Sequence, residues 1–427
     1  MKLKKVQAVV IFLIGFVFGI GAVSYYPNLS FKTYQKSRVN TERYEGLKEA
    51  NQQMDMSLFW RVWDEVESSF LFKDKIDETK MMYGAIKGMV AALGDPYTSF
   101  LPPKENEETK ADLRGQFEGV GMQLGYIDGK LAVIAPLDDT PAYRAGVKAG
   151  DFIAAIDDED SLRMPLPEAV EKIRGPKGTK VKLTLIRQGV PKPIEVEIIR
   201  DTITVPSVKV SFIKKNGQVM AHLKLMRFGD LTEGQWRRSV DKILTRKQQS
   251  GMRFKGVILD LRNNPGGYLN GAVFVASEFL EKGVVVKEEG LGGVGKSLRV
   301  NRRGRLLDLP LVVVINKGSA SASEIVAGAL RDHKRAIVVG MNSFGKGTIQ
   351  QARDIGGGAG LHVTVAKWLT PAGEWVHEKG LEPQIKVFES TDEMMDLEYD
   401  EIEKRYLDEA VKVLEKYDYY WNKFYGG

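Results

Sequence analysis

The stretch Pro310-Leu-Val-Val-Val-Ile-Asn-Lys-Gly-Ser-Ala-Ser-Ala-Ser-Glu-Ile325, with Phe344-Gly-Lys-Gly-Thr-Ile-Gln350 beyond it, decides the reading of this chain. The apolar run 311–315 suits a strand covered on both faces. Small residues and serines mark a tight bend, and a helix is expected over 322–332. The second segment supplies a lysine between two glycines and, four residues on, a glutamine. A serine hydroxyl is a weak nucleophile and needs a base within hydrogen-bond reach. A lysine serves only when uncharged. Bringing its pKa from about 10.4 to near 7 takes about 4–5 kcal/mol of preference for the neutral form. Burial can supply that much. Gly345 and Gly347 allow close approach of backbone to Lys346, Phe344 can exclude water, and Gln350 can hold the amine without adding charge. Ser319, Ser321 and Ser323 are all candidates for the nucleophile. Ser321 is chosen because a residue at a sharp strand-to-helix bend projects outward and gains the helix's positive end. The amide of Ala322 is the natural first donor to an oxyanion. The second is expected in Asp260-Leu-Arg-Asn-Asn-Pro-Gly-Gly267, from Gly266 or Gly267, which can turn an N–H into a cleft.

Around this centre, residues from about 205 to 387 alternate strand and helix: strands at 255–261, 311–315 and 336–339, helices at 269–280 and 322–332. That pattern argues for an α/β layer with parallel pairing. Upstream, 115–201 reads as a compact β-rich module. Its strands are expected at 121–126, 131–134, 152–156, 181–186 and 194–199, with short helices at 141–145 and 166–173. Phe59, Trp63, Val66 and Phe70 recur at helical spacing, and their aromatics read as core or a dimer contact. A second helix over 77–93 stops at Gly94-Asp95-Pro96. Residues 392–424 read as a C-terminal helix.

A length of 427 residues favours two or three domains. Net charge of +6 without a base-reading module argues against nucleic acid. With no cysteine and only four scattered histidines, thiol chemistry, disulfides and a metal cluster are all disfavoured. Lys2, Lys4 and Lys5 precede an uncharged run, 6–26, which spans roughly 31 Å as a helix, close to a bilayer's hydrocarbon thickness. It reads as a signal anchor that tethers the chain to a membrane, or as a signal peptide cut after Ala22-Val23-Ser24. Either implies export.

These segments, in this order, resemble the C-terminal processing peptidases (tail-specific proteases), exported serine peptidases with an inserted PDZ domain. Tyr83-Gly-Ala-Ile-Lys-Gly-Met-Val90 and Leu93-Gly-Asp-Pro-Tyr97 are also similar to that family. The resemblance implies a multidomain α+β chain whose α/β protease core is ClpP/crotonase-like. The expected parts are 1–26 anchor or signal, 27–56 polar spacer, 57–112 helical module, 113–202 PDZ domain, 203–390 peptidase core and 391–427 helical tail. It implies Ser321 as nucleophile, Lys346 as general base and Gln350 as the base's partner, with no cofactor. In the PDZ domain, Gly119, Val120, Gly121 and Met122 occupy the place of the carboxylate-binding loop. Such a loop offers N–H groups to a peptide C-terminus while the peptide adds to the sheet edge. Arg174 resembles a position proposed to couple PDZ placement to the active site. Substrates are then proteins or peptides with free, apolar C-termini, and a homo-oligomer through the terminal helical regions is left open. One departure is Gln384, where the family usually has aspartate.

Three other patterns are set aside. Gly290-Leu-Gly-Gly-Val-Gly-Lys-Ser297 fits a P-loop string, but the residues after it make a poor helix, so a glycine-rich hairpin is expected. Ser343-Phe-Gly-Lys346 fits a serine–lysine motif that needs a helical turn between its ends. His333, near the far end of the helix that Ser321 begins, is expected to point away. The run 299–305 reads as a solvated basic face. The rival function is a non-catalytic, membrane-tethered PDZ adaptor.

Overall fold

The computed structural model describes residues 56–426, except 128, 138, 163, 294, 391, 395, 396 and 398. The expected anchor or signal, 1–26, and the spacer up to residue 55 lie outside the described residues. Among the described residues no helix is long and apolar enough to cross a membrane. The chain divides into two compact units between Glu78 and Thr79. In the first, α1 (Ser57–Ser69) sets Phe59 and Trp63 on one face with ring centroids 6.0 Å apart. No residue of α1 is buried, so its aromatics form no core among the described residues.

Helix α2 (Glu78–Ala91) starts at the boundary, and β1 (Ser99–Leu101) and α3 (Pro103–Arg114) follow. Helix α3, unforeseen in the sequence, opens with proline at its first position and closes on Gly115, at φ 67. Next, β2 (Gln116–Gly119) pairs antiparallel with β9 (Asp201–Thr204). This two-stranded ribbon brings the entry and exit of the β-rich module side by side. An insertion of this kind leaves the surrounding fold uninterrupted. Between them lie β3 (Met122–Ile127), β4 (Lys130–Pro136), α4 (Pro141–Arg144), β5 (Phe152–Ile156), β6 (Glu159–Asp160), α5 (Leu166–Ile173), β7 (Lys180–Ile186) and β8 (Ile194–Ile199). The sheet order is β3-β4-β5-β7-β8, so β3 is an edge strand. Val133, Ile153, Val181, Leu183 and Leu185 alternate inward to form the module's own core.

The core continues with β10 (Val208–Lys215), β11 (Gln218–Leu225), α6 (Thr232–Ser250), β12 (Phe254–Asp260), α7 (Leu269–Ala276), β13 (Val284–Gly290) and β14 (Gly295–Arg299). It ends with β15 (Leu311–Ile315), α8 (Ala322–Asp332), β16 (Ile337–Gly340), β17 (Thr348–Gly356), β18 (Ala359–Leu369), β19 (Ile385–Lys386), α9 (Tyr399–Glu415) and α10 (Tyr417–Tyr425). The main sheet runs β10-β11-β12-β15-β16-β19; only β10–β11 is antiparallel. In β15, Leu311, Val313 and Ile315 pack with Trp236 and α8, while Val312 and Val314 face Tyr406 and Leu414 of α9. Cover on both faces is why this strand has no polar position. A second sheet, β1-β18-β13-β14 with β17 also on β18, forms the other wall of the site. The 290–297 glycine string is the turn of the β13–β14 hairpin, and a strand follows it where phosphate binding would need a helix.

Two sequence readings are corrected. The 299–305 run is not a solvated face throughout: Arg302 pairs with buried Glu278 at 2.8 Å and lies 4.0 Å over the Phe274 ring, and Arg305 pairs with Asp241. The tail is two helices, α9 and α10, rather than one. Gln384 ties β16 to the tail. It exchanges hydrogen bonds with the Val338 backbone, and its side-chain oxygen accepts from Tyr425 Oη at 3.1 Å.

Gly340 sits at φ 137, and a Cβ there would lie 1.9 Å from the Ile315 carbonyl oxygen. Gly340→Ala is expected to cost at least about 2 kcal/mol in a denaturant melt. An unchanged midpoint would contradict this packing.

Candidate active site

The bend between β15 and α8 separates the three serines by burial. Ser319 and Ser323 are fully buried and Ser321 is not. Ser319 Oγ donates to the Leu261 carbonyl at 2.8 Å, and Ser323 Oγ donates to the Asn264 carbonyl at 2.9 Å. Both serines therefore staple the bend to the loop after β12. Ser321 is the N-cap of α8 and sits at φ 54, ψ −113. A side chain in that region costs of order 1–3 kcal/mol and persists only when its surroundings hold it. The Ser321 N–H is held by the Glu324 carboxylate at 2.6 Å.

Glu324 is fully buried. Besides Ser321 N–H, its two oxygens accept from Ser343 Oγ at 2.5 Å, Gly345 N–H at 2.6 Å and Lys346 N–H at 3.0 Å. One carboxylate thus clamps the Ser321 bend to the Lys346 loop. Burial raises its pKa, and the hydrogen bonds it accepts pull the other way. Around Lys346 the glycines make room. A Cβ on Gly345 would lie 2.9 Å from Gly380 N, and one on Gly347 would lie 2.6 Å from Trp375 Nε1. Trp368 Nε1 donates to the Lys346 carbonyl and Trp375 Nε1 to that of Gly347. The lysine amine lies 5.0 Å from the centroid of the Tyr97 ring. Phe344 is 53% exposed, so Tyr97 covers the amine and Phe344 does not. Burial lowers the Lys346 pKa from its ordinary value; Asp95 and Glu324 oppose this without overcoming it.

Ser321, Lys346, Gln350, Ala322, Gly266 and Gly267 all line one cleft of about 460 Å³. Ala322 opens α8, so its N–H belongs to the first turn, whose donors have no partner within the helix. The two glycines differ. Gly266 N–H donates to Asn264 Oδ1 at 2.9 Å and is not offered to the cleft. Gly266 instead lets the loop lie against the serine, since its Cβ would come 2.9 Å from Ser321 Cβ. The bridge to Phe228 uses the Gly266 carbonyl and the Tyr268 N–H, which leaves Gly267 N–H outside it. Gln350 Nε2 donates to Thr348 Oγ1 and Thr364 Oγ1, both at 2.9 Å, so its nitrogen is committed to threonines and not to the lysine. Thr364 N–H donates in turn to Thr98 Oγ1, which donates to Asp95. Burial would raise the Asp95 pKa, but hydrogen bonds from Thr364, Thr98 and Tyr97 outweigh it and hold the group below its ordinary value.

The other sequence candidates fall outside this cleft. His333 bonds the Val284 carbonyl through Nε2 at 2.7 Å. Ser343 is fully buried, donates to Glu324, and no helical turn joins it to Lys346. In the β-rich module, the Val120 carbonyl accepts from Ala142 N–H, and the Gly121 carbonyl accepts from Leu137 N–H and Thr140 Oγ1. Gly121 sits at φ 79, and a Cβ there would strike Thr140 at 2.4 Å. The 119–122 loop thus keeps its shape beside edge strand β3, which Met122 begins. Arg174 caps α5, stacks 5.0 Å from the Phe117 ring, and lines a separate cavity of about 810 Å³ with α3. Asp112 of α3 lines both that cavity and the cleft. Sequence reasoning missed Glu324, Tyr97 and His362. Glu324 carried a local signal, the Ser-x-x-Glu capping pattern of Ser321 and Glu324, and Tyr97 ends the family-like Leu93-Gly-Asp-Pro-Tyr97, which did not tell that its ring meets Lys346.

A serine at a strained strand-to-helix bend, a partly buried lysine in the same cleft and an inserted β-rich module on an α/β core are the features of a serine peptidase with a peptide-binding domain. The comparisons agree. Residues 220–387 match peptidase family S41, 133–187 match the PDZ domain, and 18–105 match the activating protease CtpB N-terminal domain. The chain is 37% identical over 340 residues to a carboxy-terminal-processing protease of Bartonella bacilliformis, covering 79% of this chain and 76% of that one. It is 36% identical to the carboxy-terminal processing protease CtpA of Bacillus subtilis, over 76% of this chain and 67% of that one. An S41-family structure from Bacteroides fragilis superposes with a TM-score of 0.55 at 15% identity, covering 83% of this chain and 96% of that one, and shares the fold. The chain belongs to the carboxy-terminal processing proteases of peptidase family S41.

Ser319→Ala and Ser323→Ala are each expected to lower stability by about 1 kcal/mol, because the Leu261 and Asn264 carbonyls each lose one of two donors and keep a backbone N–H, while peptide cleavage persists. Thermal melts paired with a cleavage assay check this. Loss of cleavage without loss of stability would move the nucleophile away from Ser321.

Proposed function

We propose that this serine peptidase cuts through a Ser321–Lys346 dyad. Ser321 attacks the peptide carbonyl and Lys346 takes its proton. Ala322 and Gly267 N–H groups receive the oxyanion. Lys346 returns the proton to the leaving amine, and water releases the acyl group. The observation that carries this reading is the lysine amine, lowered in pKa by burial, opening into the same cleft as the outward serine. Gln350, tied to Thr348 and Thr364, stiffens the wall beside the base and adds no charge there.

The PDZ domain captures a free, apolar substrate C-terminus. Its support is the 119–122 loop at the start of an edge strand beside α5, the arrangement that strand addition needs. Export, with residues 6–26 as anchor or cleaved signal, rests on their apolar run behind Lys2, Lys4 and Lys5. Arg174, stacked on Phe117 beside α3, is placed to carry a shift of the PDZ domain toward Asp112 and the cleft.

Cleavage of matched peptides with free and amidated C-termini, by wild type and Ser321→Ala, tests the reading. Wild type is expected to favour the free form, and Ser321→Ala to bind it without cutting. Turnover by Ser321→Ala equal to that of wild type would remove the dyad, and binding without cleavage by wild type itself would leave an adaptor. A second outcome concerns pH. The neutral amine is the active form, so kcat/KM falls as pH drops through the lowered lysine pKa. A rate flat from about pH 5 to 9 would contradict a lysine base.

A further inference from the structure

His362 lines the cleft with Ser321 and Lys346. It lies on β18, where Thr364 is the register partner of Gln350 and His362 that of Ala352. Side chains two apart on a strand share a face, about 6–7 Å apart. The imidazole therefore stands one rung beyond the Gln350–Thr364 rung, along the wall that leads away from the lysine. Ser99 is its partner on the other side, in β1. Among the described residues, no hydrogen bond or ion pair engages the His362 ring. The residue is half-buried and its ring nitrogens keep access to solvent, so a group entering the cleft can take the place of water at them.

Charge says what enters. Besides His362, the charged side chains that line the cleft are Asp112, Arg227 and Lys346. Asp112 and Arg227 neutralise each other at 2.8 Å. Asp95 and Glu324 sit behind the lysine with their oxygens committed to hydrogen bonds. No unpaired carboxylate lines the described cleft to receive a cationic side chain, whereas an anionic one meets a ring N–H. We propose that His362 is a specificity-determining residue, whose ring donates a hydrogen bond to an acidic side chain of the extended substrate, a few residues from the scissile bond. This rests on the peptidase reading above. Burial lowers the His362 pKa from its ordinary value, and Lys346 acts in the same direction when it is charged. A bound carboxylate favours the protonated ring. The preference for acid therefore grows as pH falls, even while the overall rate falls with Lys346.

The test uses the full chain and a set of quenched fluorescent peptides with free apolar C-termini. Each position around the cut carries Glu, Gln or Lys in turn. At one position, wild type is expected to favour Glu over Lys by about tenfold in kcat/KM near pH 6, shrinking severalfold near pH 9. In His362→Gln the ratio should lose its pH dependence. In His362→Lys it should stay high and flat, because that charge persists at alkaline pH. Thermal melts confirm that each variant folds, and if His362→Gln does not fold, His362→Lys alone decides. A wild type with no position favouring Glu, or a His362→Gln ratio that still climbs as pH falls, overturns the proposal. Both outcomes leave the dyad standing, since cutting continues. No cleavage of any peptide by wild type, matched by Ser321→Ala, overturns the peptidase reading and this proposal with it.

Discussion

Four donors converge on the Glu324 carboxylate, and the site depends on that convergence. Two come from Ser343 and Gly345, one from the backbone of Lys346, and one from the backbone of Ser321. Serine and lysine arrive from segments 25 residues apart (346 − 321 = 25). Each segment is strained or glycine-loosened, and neither would hold its place unaided. A buried carboxylate is costly when unpaired and strong when each oxygen is engaged. Engaging both oxygens with neutral donors also spends its charge on the backbone, leaving less to attract a proton to the amine. Burial therefore wins at Lys346, although two carboxylates, Asp95 and Glu324, oppose it.

The fold serves this clamp from both sides. The doubly covered β15 delivers the bend at a fixed height, and buried Ser319 and Ser323 rivet it to the loop after β12. That loop is itself anchored. Arg262 holds both oxygens of fully buried Asp260 and reaches Glu403 in α9, while Asn264 reaches the Leu225 carbonyl. Gly267 is thereby carried to the serine from β12, and Lys346 from the β16–β17 connection. Tyr97 closes over the amine from the segment between α2 and β1. The Lys346 amine is thus covered on one side by a part of the chain about 250 residues away (346 − 97 = 249).

That separation decides what could be read from the sequence. The bounds of β5, β15, α5 and α8 were legible because unbroken or alternating apolar runs and proline–glycine punctuation are local. That Ser321, Lys346 and Gln350 would share one cleft was legible because their signals lie within a few residues of each other in two short motifs, but the partners of Gln350, Thr348 and Thr364 rather than the lysine, were not. Tyr97 and His362 were not, since nothing near them in the chain shows that they meet Lys346. Phe344 misled for the opposite reason: an aromatic beside the lysine suggested cover, but the backbone turns it outward. Gly266 and Gly267 looked alike in the sequence, and only the Asn264 side chain, which takes one N–H, tells them apart. Arg302 read as solvated because its partner Glu278 lies 24 residues away (302 − 278 = 24).

The PDZ domain joins the core by the β2–β9 ribbon, and α3 lies between its cavity and the cleft. One residue of that helix, Asp112, lines both. All of this is idle unless the amine is uncharged at working pH. The direct measurement is an NMR titration of the lysine side-chain nitrogens in Ser321→Ala, with Lys346→Met to assign the signal. One resonance should titrate well below the ordinary value of about 10.4 and vanish in Lys346→Met. If every lysine titrates near that ordinary value, the dyad as described here is wrong.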